Sequence, residues 1–464
     1  MGLWHSLCSN TAVLRFGAVS FVFSRRPSRW HKPLFCALPH AHSVSEYRSL
    51  VVLLRFSIAQ RPEEPQFVRP RFFSLPSAQL ANEAWLARGD GSSGPRLAII
   101  GVGMMGREHL RVALLLGRMR IQGVYDDHAE SLDQAQREYR KSTQMTLNVY
   151  PSFEALCADE AVDAYLIATP NFTHSAIFER LIKSGKPIFL EKPMATTLLD
   201  AQRMVTLAKA HPAFVQLGMQ YRFKAQYIEA FHAIKVQQAL GTVHTVAMSE
   251  YRPPFLNKVG EWNKFSHYSG GTLVEKCCHY FDLINLAVDA YPVKVYAQGG
   301  QAVNFIDFEH RGLSADIDDH AFVTVTYDNG MLAHFTLNMF CQELYEELVI
   351  TGDQGRLVAS ESSSFRRGVN SSAKIQIEAS AHPAYDGMTV TYPSAIENSG
   401  HCGATFFEHL AFLAQLEGDV VDAATPAQGL KSLLVASAAQ RSLATGQVVF
   451  MDEFCAQEQV SWPC

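Results

Sequence analysis

The chain has 464 residues, of which 48% are hydrophobic and 18% are charged, and its formal net charge is −5. This composition is typical of a globular protein and excludes a disordered or membrane-embedded one, and the length fits two domains better than one core. The acidic balance offers no basic stripe for nucleic acid, and every long apolar stretch is interrupted before it could cross a bilayer. We therefore expect a small-molecule partner, with neither nucleic acid nor membrane.

The N-terminal region differs from the rest in charge. Its first sixty residues hold seven Lys and Arg residues against a single acid, Glu46. A basic, serine-containing segment of this kind is typical of a transit peptide, which would direct the protein to a mitochondrion or plastid. The alternatives are a disordered extension or an incorrectly assigned start, which would leave the protein in the cytoplasm. A Gly- and Ser-rich stretch over 89–95 predicts a linker, so we assign residues 1–95 to an N-terminal extension.

Short apolar strands alternate with amphipathic helical stretches from Arg96 onward, which predicts an α/β fold with a doubly wound parallel sheet. We expect a Rossmann domain over 96–219 with six strands, near 96–100, 121–125, 147–150, 164–168, 188–191 and 214–218. Beyond it, runs rich in Val, Thr and Tyr occur at 243–251, 293–298, 321–327 and 331–337, with a hairpin signal at 327–330. We therefore expect a second α/β domain over 220–464 with an open, mainly antiparallel sheet.

A glycine fingerprint, Gly101-x-Gly103-x-x-Gly106, follows the first of these strands and includes Met104 and Met105. The glycines permit a tight turn, a close approach of backbone amides to a pyrophosphate, and close packing of helix on strand. Asp126 ends the second strand, 20 residues beyond Gly106, where a carboxylate accepts hydrogen bonds from a ribose 2′-hydroxyl. This predicts NAD as the cofactor, with NADP possible; the alternative is that Asp126 only caps the next helix.

Two further groups lie at the carboxyl edge of the predicted sheet, where such folds bind ligands. The first is Thr169-Pro170-Asn171 with His174, in which cofactor contact competes with ordinary helix capping. The second is Glu191-Lys192-Pro193, where Pro193 stops the strand and so places the Lys192 ammonium beside a bound nicotinamide.

A polar triplet follows a glycine turn in the second domain. Glu275, His279 and Asp282 are spaced i, i+4, i+7 and would share one face of a helix. A catalytic reading makes His279 the base that removes a hydroxyl proton, Lys192 the stabiliser of the alkoxide, and Glu275 the group that orients the imidazole. A hydrogen-bonded core network is the alternative.

The cysteines point away from metal chemistry. Nine are scattered along the chain without a Cys-x-x-Cys pair, and the adjacent Cys277 and Cys278 would point in different helical directions. We therefore predict no metal site. Tyr251 and Trp262 precede the triplet, as does Lys264, and could line a hydroxyl-rich pocket, or equally be plain core or surface.

The ordered series of motifs resembles the Gfo/Idh/MocA oxidoreductase family from about Arg96 to about Phe450, including Gln220-Tyr221-Arg222-Phe223 as a further motif. The resemblance matches Lys192 to the catalytic lysine and His279 to the proton-transfer histidine, puts Glu275 where Asp is usual, and adds Glu191, Pro193 and Gln220 to the cofactor-binding set. It also implies a homo-oligomer assembled through the C-terminal sheet. We expect an NAD-dependent dehydrogenase acting on a secondary alcohol of a cyclic polyol or sugar. The alternatives are an NADP-dependent oxidoreductase of the dihydrodiol or glucose-fructose type, and a non-catalytic dinucleotide-binding regulator.

Overall fold

The computed structural model describes residues 11–16, 19–24, 94–364, 369–380, 382–390 and 392–463. In the N-terminal region, β1 (Thr11–Phe16) and β2 (Val19–Ser24) form an antiparallel hairpin within a unit of residues 1–64, which is distinct from the unit of residues 65–464. Most of the basic segment lies outside the described residues, and so does the transit-peptide prediction.

The first sheet has five parallel strands in the order β4-β3-β5-β6-β7. They are β3 (Arg96–Ile100), β4 (Arg120–Tyr125), β5 (Ala164–Ile167), β6 (Ile188–Glu191) and β7 (Val215–Gly218). The helices that follow them are α1 (Met104–Leu116), α2 (Ala129–Thr143), α3 (Phe153–Ala158), α4 (His174–Leu181) and α5 (Leu198–Ala210). Side chains of Ser152 and Thr197 cap α3 and α5, and β5, β6 and β7 are buried along their whole length, as the sequence pattern of a doubly wound sheet requires.

Of the six strands predicted for the first sheet, the one over 147–150 is wrong. This segment forms only an isolated bridge between Val149 and Val124, and Val149 is exposed. The ladder stops there because Pro151, the next residue after Tyr150, has no N–H to donate and restricts the residue before it.

The second sheet has nine strands in the order β17-β16-β15-β14-β8-β13-β12-β9-β18. Only the β8–β13 pair is parallel among the described pairs, so the sheet is mainly antiparallel, as predicted. Its strands are β8 (Val243–Tyr251), β9 (Pro292–Gly300), β12 (His320–Tyr327), β13 (Leu332–Asn338), β14 (Leu344–Gly352), β15 (Gly355–Ser364), β16 (Val369–Ala379), β17 (His382–Val390) and β18 (Val449–Phe450). The strands β10 (Glu309–His310) and β11 (Leu313–Ser314) form a separate small ladder. The predicted hairpin turn is confirmed, since the Tyr327 amide bonds to the Met331 carbonyl at 3.0 Å.

The second half of the chain also contributes eight helices among the described residues. They are α6 (Ala225–Phe231), which continues into a π-helical turn (His232–Val236), α7 (Ser266–Ser269), α8 (Thr272–Glu275), α9 (Cys278–Val288), α10 (Ser394–Glu397), α11 (Ala404–Leu416), α12 (Pro426–Thr445) and α13 (Met451–Gln457). Shorter 3₁₀ turns occur at Asn171–Thr173, Ile182–Ser184, Gln220–Phe223, Val259–Lys264 and His401–Gly403. Thr425 and Gln428 form a capping box at the start of α12.

Two C-terminal helices pack back onto the first sheet. Phe412 of α11 contacts Phe189 of β6 edge to face, with ring centroids 5.4 Å apart. Helix α12 passes so close to Leu217 of β7 that a Cβ added at Gly429 would lie 2.2 Å from that side chain. The carboxyl end of β6 lies beside α8, where Lys192 donates a hydrogen bond to the Glu275 carbonyl oxygen. No helix in the described ranges combines the length and the apolarity needed to span a bilayer.

Candidate active site

In the glycine loop between β3 and α1, some glycines are required by the fold and another leaves space for a ligand. A Cβ at Gly106 would lie 1.9 Å from the Gly101 carbonyl oxygen, and Gly101 itself has a φ of 85°. A Cβ at Gly103 would meet nothing within 4 Å. The first and third glycines are therefore required by the chain, whereas the second leaves open space at the N-terminus of α1, where backbone amides and the helix dipole favour a phosphate. This cradle fits a dinucleotide.

Asp126 ties the glycine loop to the end of β4. Its Oδ2 accepts a hydrogen bond from the Val102 amide at 2.7 Å, and its Oδ1 accepts one from the His128 amide at 2.8 Å. Helix α2 is capped by the His128 side chain, so the alternative role of Asp126 as its N-cap is wrong. Each carboxylate oxygen can accept a second hydrogen bond, which leaves Asp126 able to receive a ribose hydroxyl.

His174 and Asn171 hold loops together at the carboxyl edge of the sheet. The His174 ring is buried between two carbonyl oxygens, that of Pro193 at 2.8 Å from Nδ1 and that of Thr169 at 2.9 Å from Nε2. The Asn171 amide donates to the Ser269 carbonyl at 3.2 Å, which joins the first sheet to α7. These contacts make both side chains positioning groups for the loops that carry Thr169, Pro170 and Lys192.

Lys192 crosses from the end of β6 to the last residue of α8. Its Nζ donates to the Glu275 carbonyl oxygen at 3.1 Å and lies 3.9 Å from Glu275 Oε1, which also receives Lys258 Nζ at 2.8 Å. Burial alone would lower the pKa of Lys192, but the negative charge of Glu275, together with Cys278 and Glu191, outweighs burial and the pKa is raised. Burial alone would raise the pKa of Glu275, but Lys192 and Lys258 lower it. Lys192 is therefore an ammonium and Glu275 a carboxylate at neutral pH.

The predicted pairing of Glu275 with His279 is wrong, and so is the continuous helix behind it. Residues 276 and 277 form a turn, so α8 ends at Glu275 and α9 begins at Cys278. The Glu275 carboxylate turns toward the two lysines, and the Asp282 carboxylate forms a buried pair with Arg222, with contacts of 2.7 and 2.6 Å. Asp282 is thus part of the core network that the sequence left open.

His279 is held by an aromatic ring instead of a carboxylate. Its imidazole stacks on Tyr221 with centroids 4.1 Å apart and planes 6° from parallel, and its Nδ1 is buried without a hydrogen-bond partner in the described part of the chain. Burial lowers the pKa of His279 well below its usual value, and the charges of Lys192 and Lys276 lower it further. The ring is therefore neutral at physiological pH and can accept a proton.

The remaining predicted residues divide between the site and its surroundings. Trp262 lies at the site, since the Lys258 ammonium is 4.5 Å above its ring. Gln220 is buried at the end of β7, and its Oε1 has no partner among the described residues. Tyr251 is 36% exposed at the end of β8 beside Tyr345, and no contact joins it to Lys192 or His279 in the described ranges. Lys264 is buried against Asn257, Glu261 and Phe308.

Sequence analysis missed a buried chain of polar groups behind Lys192. Glu191 Oε2 accepts the Lys192 amide at 3.0 Å, and Glu191 Oε1 lies 2.8 Å from Nε2 of His109, whose Nδ1 lies 2.8 Å from Nε2 of His409. Glu191 therefore connects the backbone at Lys192 to His109 of α1 and, through that ring, to His409 of α11. A histidine on the apolar face of α1 was the signal in the sequence, but its partners come from strands and helices far along the chain. Lys258 supplies a second ammonium group at the site, and no sequence motif indicated a role for it.

Comparisons with known proteins show which family the chain is similar to. A family model described as an oxidoreductase family with an NAD-binding Rossmann fold matches residues 95–219, and a model of the C-terminal alpha/beta domain of that family matches residues 235–451. The myo-inositol 2-dehydrogenase of Thermotoga maritima is 24% identical over 267 residues, which cover 57% of this chain and 75% of that protein.

Solved structures share the fold. The WlbA dehydrogenase from Bordetella pertussis, in complex with NADH and UDP-GlcNAcA, superposes with a TM-score of 0.58 at 20% identity over 77% of this chain and 98% of that one. A levoglucosan dehydrogenase in complex with NADH and levoglucosan gives a TM-score of 0.61 at 18% identity, covering 77% and 99% of the two chains. With both domain models matched in order, this chain belongs to the Gfo/Idh/MocA oxidoreductase family and carries its NAD-binding Rossmann domain.

Proposed function

We propose that the protein oxidises a secondary alcohol of a cyclic polyol or sugar, or reduces the corresponding ketone, with NAD as the hydride carrier. The observation that carries this proposal is the contact of Lys192, from the end of β6, with Glu275, which precedes the turn into the helix that holds His279. The Lys192 charge lowers the pKa of His279, so a charged lysine and a neutral imidazole belong to one site. The relatives named as myo-inositol and levoglucosan dehydrogenases support the substrate class.

The cofactor would lie along the carboxyl edge of the first sheet. Its pyrophosphate would occupy the space beside Gly103 and the α1 residues Met104 and Met105, and its adenosine ribose would bond to Asp126. Thr169, Pro170, Lys192 and Gln220 would border the nicotinamide end. Once bound, the nicotinamide supplies the acceptor for the hydride.

The chain's own residues then handle the hydroxyl group. The Lys192 ammonium donates a hydrogen bond to the substrate oxygen and stabilises the negative charge that develops as the C–H bond breaks. The His279 imidazole takes the hydroxyl proton, so that one proton and one hydride leave the alcohol and a ketone remains. Glu275 keeps Lys192 charged, and Trp262 offers an apolar face to a sugar ring.

We also propose that copies of the chain associate through the outer face of the second sheet. Phe322 of β12 and Leu332 of β13 point to this same face of the sheet, and they are 56% and 52% exposed. Burial of these side chains against a second copy would be favourable, because it removes apolar surface from water.

The test uses the full-length chain with NAD and a panel of inositols, aldoses and dihydrodiols, with the absorbance of reduced nicotinamide followed over time. We expect reduction of NAD by at least one polyol or sugar, and its loss in Lys192→Met at unchanged NADH affinity. Turnover with NADP alone would overturn the cofactor assignment. NADH binding without turnover of any panel member would overturn the dehydrogenase proposal and favour a dinucleotide-binding regulator.

A further inference from the structure

The imidazole of His279 needs something to fix its plane, because a proton acceptor works only when its lone pair is aimed at the hydroxyl. The carboxylate expected to do this, Glu275, is committed to Lys258 and Lys192. What His279 does contact is the ring of Tyr221, over which it lies almost parallel. Tyr221 belongs to the 3₁₀ turn Gln220–Phe223, directly after β7.

Tyr221 is itself fixed by two buried lysines. Its hydroxyl oxygen accepts a hydrogen bond from Lys276 Nζ at 2.5 Å, and Lys224 Nζ lies 4.0 Å from its ring centroid. Lys276 is paired with Glu250 at 3.2 Å, and Lys224 with Glu346 at 2.6 Å. Both ammonium groups therefore stay charged inside the protein, and the tyrosine ring between them cannot tilt without breaking a hydrogen bond or a cation–π contact.

We propose that Tyr221 and Lys276 are positioning residues for His279: the tyrosine sets the plane of the imidazole, and the lysine holds the tyrosine in place. The charge of Lys276 also lowers the pKa of His279. Only the use of the imidazole as a base rests on the proposed function. The positioning itself is a property of the folded chain and can be measured without a substrate.

Charged groups on several elements surround His279, and the positive ones lower its pKa. The negative groups of this region are Glu275, Asp282, Glu250 and Glu346, and each forms an ion pair with a lysine or an arginine. The positive or titratable groups are Lys192 at the end of β6, Lys276 between α8 and α9, Lys224 before α6, and His401 before α11. Like charges so close disfavour an imidazolium ion, which is why the removal of one of them should be visible in the titration of His279.

The experiment is NMR of the full chain with ¹³C-labelled histidine, in which the His279 ring signal is assigned by its loss in His279→Gln. Stacking on an aromatic ring moves a ring proton upfield, so the wild-type signal should lie upfield of free histidine and return downfield in Tyr221→Leu. Tyr221→Phe, which keeps the ring and loses the hydroxyl, should leave the signal upfield. In Lys276→Met, the pKa of His279 should rise, because the substitution removes one of the positive charges that lower it. The matched control is Lys235→Met, which replaces an exposed lysine in the π-helical turn and should leave the titration unchanged.

The outcomes separate the two proposals. A wild-type His279 signal at the position of free histidine would overturn the stacking role even if Tyr221→Leu fails to fold. An unchanged His279 titration in Lys276→Met would overturn the role of the lysine. If both NMR results are as expected and no panel compound reduces NAD, the positioning stands and the dehydrogenase proposal falls. Turnover together with absent NMR responses removes the positioning alone.

Discussion

The glycine loop allows the cofactor site to be tested apart from the fold. In Gly103→Ala the new methyl group meets no protein atom within 4 Å, so the free energy of unfolding should stay within about 1 kcal/mol of wild type. The same methyl occupies the space through which a pyrophosphate approaches the loop amides. Loss of one charge-assisted hydrogen bond costs about 1.5 to 3 kcal/mol, so NADH should bind roughly 10- to 100-fold more weakly.

Gly106→Ala is the matched control, because its methyl group would lie 1.9 Å from the Gly101 carbonyl oxygen. Backbone must shift, and overpacking of this kind costs about 1 to 3 kcal/mol of stability. Chemical denaturation measures the stabilities, and NADH fluorescence titration measures the affinities. Wild-type NADH affinity in a stable Gly103→Ala protein would refute the placement of the pyrophosphate beside this residue.

Four further outcomes follow from the site. Asp126→Ser should reduce the preference for NAD over NADP, as seen from the ratio of the two dissociation constants, and an unchanged ratio would remove Asp126 from cofactor choice. His279→Ala should lower turnover by about 10²- to 10⁴-fold with NADH affinity preserved, and equal turnover would exclude it as the base. Arg222→Met should cost about 3 to 5 kcal/mol in urea unfolding, because it leaves the buried carboxylate of its partner unpaired. Burial would raise the pKa of Glu108, but the contact with His401 lowers it to about 2. The ionised Glu108 therefore stabilises the fold at pH values above the usual pKa of a glutamate, and this stabilisation is lost as the pH falls toward 2. Glu108→Gln should make the free energy of unfolding fall less steeply between about pH 5 and 3, and parallel curves for the two proteins would contradict this.

Local patterns in the sequence were enough for most of the fold. Short continuous apolar runs predicted β3 and β6 at the observed bounds, because a strand buried on both faces leaves such a run in the sequence. The pattern failed at 147–150, where four residues look like a strand but lie at the sheet edge beside a proline. Sequence periodicity cannot distinguish a full edge strand from a single bridge.

The candidate site was predictable as a set of residues and not as a set of contacts. Lys192 and His279 were found through their motifs, but a helical spacing rule paired His279 with Glu275 across a turn that the spacing cannot reveal. Lys276, in this turn, forms an ion pair with Glu250, a strand residue 26 positions earlier, and local spacing does not reveal such a long-range contact. The sequence indicates Tyr221 only as part of the motif over 220–223, because ring stacking between distant residues leaves no pattern along the chain.

The return of α11 and α12 onto the first sheet makes the cofactor half of the molecule dependent on helices that are synthesised after it. Until those helices emerge from the ribosome, Phe189 and Leu217 lack the apolar contacts that Phe412 and α12 provide. A chain truncated before α11 would therefore expose apolar surface that chaperones and proteases recognise. A fragment that ends at β7 would expose the same surface. Any dissection of this enzyme into a cofactor-binding piece has to keep its C-terminal helices.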